Sequence, residues 1–110
     1  MPHKIERLNA VAGPFVATNS ASTSPKLPFG ASAGGVIVVD AVASGATSLT
    51  WHVALGAELT PVPVNADGAG VTTAIVAGQA YTLPDALFAA PFIVAVTNLG
   101  TATFRIAVKG

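Results

Sequence analysis

A chain of 110 residues is one domain's worth of sequence, enough for a single core that removes about two-thirds of the unfolded chain's surface from water. Five basic residues balance five acidic ones and there is no cysteine, which leaves no disulfide framework, no thiolate metal ligands and no electrostatic footprint for nucleic acid. Charged residues make up only 9% of the chain, far below the roughly 25% of a typical soluble domain, and mean hydropathy is +0.67. So neutral and charge-poor an exterior favours association, and much of it is expected to be covered by neighbouring copies or by a host surface. No stretch reaches the roughly 18 uninterrupted apolar residues that a membrane-spanning helix needs; the best candidate is broken by Pro91, Asn98, Gly100 and Arg105.

At the N-terminus, Glu6, Asn9 and Pro14 interrupt any apolar run behind Lys4 and Arg7, so no signal peptide is expected and the terminus reads as unprocessed. An apolar fragment at Phe15 to Ala17 precedes TNSASTSPKLPFGASAGG, a tract without periodicity and too long for an ordinary connection. Residues 1–34 are therefore expected to form an arm or extended loop, either a disordered linker or a segment that orders against a partner. Residues 35–110 are expected to form the β domain.

That domain begins with GVIVVDAVA, Gly35 to Ala43, apolar on both faces and so expected to be central or covered twice. In TSLTWHVAL, Leu49, Trp51, Val53 and Leu55 share one face, which makes Trp51 a core residue. ELTPVPV carries Pro61 and Pro63 two residues apart, which removes two ladder donors on one side and marks an edge strand. Asn65-Ala66-Asp67-Gly68 supplies a hairpin turn, and GVTTAIVA, around Val71, Thr73 and Ile75, a further strand. YTLPDALFAAP reads as a strand end at Tyr81 to Leu83 and a short helical turn over Asp85 to Phe88 that closes an opening of the core. FIVAVTN, Phe92 to Asn98, is again apolar on both faces. After a hairpin turn at Asn98-Leu99-Gly100, the last strand points Ala102, Phe104, Ile106 and Val108 inward and Thr103, Arg105, Ala107 and Lys109 outward. These short β-branched runs between turn residues predict an all-β antiparallel sandwich of seven or eight strands.

Gly30-Ala31-Ser32-Ala33-Gly34 matches the G-x-S-x-G pattern of a hydrolase nucleophile. That motif needs a strand before the serine and a helix after it, whereas here a β-branched strand follows. A triad would have to use Ser32, Asp40 and His52. The glycines instead let the chain turn from arm to core, so Gly34 and Gly35 are expected to tolerate substitution worse than Ser32. His3 and His52 stand far apart with no carboxylate cluster, and neither metal nor cofactor is expected. Of Glu6, Asp40, Glu58, Asp67 and Asp85, only Asp40 sits within an apolar strand; it needs a partner, with Arg105, Lys109 or a neighbouring subunit the candidates.

Residues 81–110 combine an aromatic-x-Leu-Pro strand end, a short turn, an apolar strand ending in Asn98 and an alternating strand closing in Lys109-Gly110. In this the chain resembles the C-terminal part of small tailed-phage virion proteins, the capsid cement or decoration proteins with a jelly-roll sandwich. The resemblance implies a homotrimer on the capsid exterior, made in the host cytoplasm, with the major capsid protein as partner. It implies neither an active site nor a nucleic-acid or membrane partner. The arm residues Phe15, Pro25, Lys26, Leu27, Pro28 and Phe29 would lie over the shell. Two other readings are a tail-associated adhesin domain that binds a host glycan and a small hydrolase using Ser32.

Overall fold

The computed structural model describes residues 9–28, 34–66, 68–85, 87 and 90–109, with backbone alone at 9, 10, 108 and 109. Among them there is no α-helix. In chain order the strands are β1 (Asn9–Ala17), β2 (Leu27–Pro28), β3 (Gly34–Ala43), β4 (Ser48–Ala54), β5 (Val62–Pro63), β6 (Asn65–Ala66), β7 (Ala69–Gly70), β8 (Thr72–Ala74), β9 (Gln79–Thr82), β10 (Phe92–Thr97) and β11 (Thr101–Lys109). They form three antiparallel sheets. The first has the order β1-β11-β3-β9, the second β2-β10-β4-β5 with β8 also on β4, and β6-β7 is a small hairpin.

The two larger sheets share one core. Ile37 and Val39 of β3 and Phe104 and Ile106 of β11 meet Leu49 and Trp51 of β4 and Ile93 and Ala95 of β10 in a single cluster. Removing each such large side chain from water contributes roughly 1.5–3 kcal/mol. Alternation explains β11, where Ala102, Phe104 and Ile106 are buried and Arg105 is exposed. Leu83 and Leu87 enter the same cluster. Leu87 is carried by a tight turn in which its N–H donates to the Pro84 carbonyl at 3.1 Å.

Eleven strand segments replace the expected seven or eight. Part of the difference is Pro61, Pro63, Gly68 and Gly70, which leave four pieces where two strands are expected: β5 and β8 line the same side of β4 as one edge, and β6-β7 loops out between them. The other part is β1 and β2, which fall inside the segment expected to be an arm. Residues 9–17 pair with β11 from Asn9↔Lys109 to Ala17↔Ala102, so the stretch expected to extend away is an edge strand. Phe15, Ala17 and Leu27 supply its apolar anchors.

Three further expectations change. Leu55 is not inward but 76% exposed, because β4 ends at Ala54 and the chain turns there. Asn98-Leu99-Gly100 joins β10 in one sheet to β11 in the other, so it is a corner between sheets instead of a hairpin. At Gly34 a Cβ would meet nothing within 4 Å, so that glycine carries no steric demand. The demanding glycine is Gly100, with φ +63 and the Ala43 carbonyl oxygen where its Cβ would stand.

Candidate functional site

The outer face of the first sheet carries the most distinctive group of side chains. Because Phe104 and Ile106 point into the core, Arg105 between them points out, opposite Val38 of β3. On β3, Ala41 pairs with Thr103 and Val39 with Phe104, which leaves Asp40 as the extra residue of a bulge. The bulge turns the carboxylate toward Arg105. The guanidinium donates from Nε to Oδ2 at 2.9 Å and from Nη2 to Oδ1 at 2.8 Å, a bidentate geometry. This hydrogen bonding, and then the charge of Asp40, raise the Arg105 pKa above its ordinary value. Both groups are well exposed, so solvent screening keeps the pair's contribution to stability small. The Lys109 side chain is outside the described atoms.

A second bulge lies across β11 on β1, between Ala12 and Phe15. Gly13 there has φ +126, and a Cβ on it would come within 3.0 Å of Arg105 Cγ. Around the ion pair the outward positions are apolar: Val36 stands beside Ala107, which stands beside Val11, and Val38 stands beside Ala80. Val16 faces Thr103, which faces Ala41. Val11 is 75% exposed, Val16 47% and Val36 36%. β3 is thus central, as its sequence suggests, but covered on its inner face alone.

The expected partner-binding residues do not share one surface. Phe15 packs on Phe104 with ring centroids 5.7 Å apart, and Leu27 is 5% exposed in the core. Lys26 Nζ donates to the carbonyls of Ala57 at 2.7 Å and Leu59 at 2.5 Å, tying the arm region to the loop after β4. Pro25 is half-buried and Pro28 exposed. Phe29 and Ser32 lie outside the described residues, as do His3, Glu6, Asp67 and Phe88.

Among the described residues no three His, Asp or Glu side chains gather as a metal site would require. Asp40 is bound to Arg105, while His52 is on the second sheet, opposite Val94 and Pro63, with its buried Nδ1 lacking a hydrogen-bond partner among the described residues. Trp51 is fully buried and its Nε1 donates to Thr73 Oγ1 at 2.9 Å. The half-buried Tyr81 accepts at its hydroxyl from the Val76 N–H at 2.7 Å. Neither aromatic offers a stacking platform.

Two polar devices escape sequence reading. Asn98 Oδ1 accepts from the N–H groups of Thr47 at 2.9 Å and Ser48 at 3.1 Å, and its Nδ2 donates to Thr47 Oγ1 at 3.0 Å. These partners are some fifty residues away in sequence, and nothing local announces them. The hydroxyl tract does carry a local signal in its Ser20-to-Ser24 spacing. Ser24 Oγ donates to the Ser20 carbonyl at 2.9 Å and accepts from the Thr18 N–H at 3.0 Å, which closes the turn on itself. Compared with known proteins, the chain matches no family model, no curated protein and no solved structure.

Proposed function

We propose that the protein is a structural virion subunit, a tailed-phage capsid decoration protein with a jelly-roll sandwich that self-associates and binds the major capsid protein on the shell exterior. The observation that carries this reading is the strand order. Short strands included, successive strands alternate between the two larger sheets from β1 to β4 and again from β8 to β11, β11 lies between β1 and β3, and β10 lies between β2 and β4. Two interleaved Greek keys, the plan of a jelly roll, produce that order.

A charge-poor surface and an open apolar sheet face support the structural role, and the resemblance of residues 81–110 supports the virion setting and self-association. Synthesis is in the host cytoplasm and the site of action is the capsid. Shell contact falls to Pro25 and Pro28, because Phe15 and Leu27 pack inward and Lys26 is already tied. Each contact would favour the assembled shell by mass action. The test is co-sedimentation with capsids assembled from the major capsid protein. The chain is expected to pellet with shells and to raise their melting temperature; a chain that stays in the supernatant overturns the reading.

A further inference from the structure

We propose that the outer face of the first sheet is a contact between two copies of this chain, packed face to face about a two-fold axis. This assigns a surface to the self-association in the proposed function and rests on that part of it, while remaining independent of the capsid.

The area is sufficient. β1, β11 and β3 are nine, nine and ten residues long. At about 3.3 Å per residue and about 4.8 Å between strands, these and the shorter β9 present roughly 500 Å² per copy, or about 1,000 Å² for two, the threshold for a specific interface. Valine and alanine dominate that face at Val11, Val16, Val36, Val38 and Ala107, a texture that suits two sheets stacked with interdigitating side chains.

The charge pattern selects a second copy as the occupant. Among the described side chains the face carries one basic and one acidic group, Arg105 and Asp40, on adjacent strands. A two-fold axis in the plane of contact, running between those strands, lays each guanidinium over the partner copy's carboxylate. Two pairs then close a ring of alternating charge, and neither group is left unpaired when water is excluded. A face of single sign would repel its own copy. The β1 edge is blunted by the Gly13-Pro14 bulge, and the opposite edge, β9, is only four residues long.

The experiment measures native mass across a concentration series for the full chain and five variants. The wild type is expected to show an even number of copies. Val11→Lys and Val36→Lys, each placing an unpaired charge in the contact, are expected to weaken association at least tenfold or so. Leu55→Lys, exposed on the loop after β4, leaves it unchanged. Asp40→Arg alone weakens it, and Asp40→Arg with Arg105→Asp restores it, because the swapped pair has the same two-fold complementarity. Circular dichroism of each variant separates loss of association from loss of fold. An odd assembly such as a trimer, or an even one indifferent to the face variants, overturns the assignment while leaving capsid binding intact. A monomer at every concentration overturns the assignment and the self-association together, and co-sedimentation then decides whether the capsid role survives.

Discussion

Trp51 and Thr73 show at residue scale what alternation reveals and what it hides. The inward position of Trp51 follows from a period of two along β4, but its indole N–H also needs an acceptor, and Thr73 supplies one from a strand 22 residues on. Thr73→Val keeps the shape and removes the acceptor, stranding a buried donor at a cost of about 1–3 kcal/mol. Urea unfolding followed by the fluorescence of this single tryptophan measures the loss; a midpoint unchanged from wild type would refute the buried hydrogen bond. Asp40 is a similar case. Its place in an apolar strand demanded a partner, and the bulge that aims it at Arg105 emerges only from the pairing of β3 with β11. Since the folded-state pKa of Arg105 is raised, its favourable contribution is present below the unfolded value and lost only as pH rises through the folded one. The ion pair is therefore insensitive to Arg105 titration throughout the neutral range.

At the scale of elements, β3 and β10 look alike in sequence, apolar on both faces, yet they end differently. β10 is buried at every position from Ile93 to Thr97, while β3 leaves Val36 open on its outer face. Nothing within either segment distinguishes them, because the cover on a sheet's outer face comes from elsewhere in the chain. β1 reverses an expectation: the serine-rich tract behind it suggests an arm, but a ladder of seven pairs to β11, interrupted at the Gly13-Pro14 bulge, holds it. An arm would be dispensable and an edge strand is not. Deleting residues 1–17 should destabilise the domain by about 3 kcal/mol or more, since it removes the packing of Phe15 on Phe104 together with the ladder. A truncated chain with the denaturation midpoint of the full one would restore the arm.

For the whole molecule, one cluster draws on both larger sheets, so neither can lose its partner and keep its own core. Unfolding should be a single transition, with Trp51 fluorescence reporting the second sheet and far-ultraviolet circular dichroism reporting all strands, and the two midpoints should coincide. Separate midpoints would show that the sheets fold independently. Because the first strand pairs with the last, folding must close long loops before these contacts form.

Composition and alternation by themselves determined the all-β class, the inward Ala102, Phe104 and Ile106 of β11, the broken edge at Pro61 and Pro63 and the poverty of charge. These are local or additive properties: a period of two, a missing donor and a count of charges belong to the chain wherever it folds. Tertiary structure alone decided that residues 9–17 join a sheet, that Asp40 meets Arg105 and that the outer face of β3 stays open while that of β10 is covered. Each of these depends on which distant strand becomes a neighbour, and a strand's own residues do not encode its neighbour's identity.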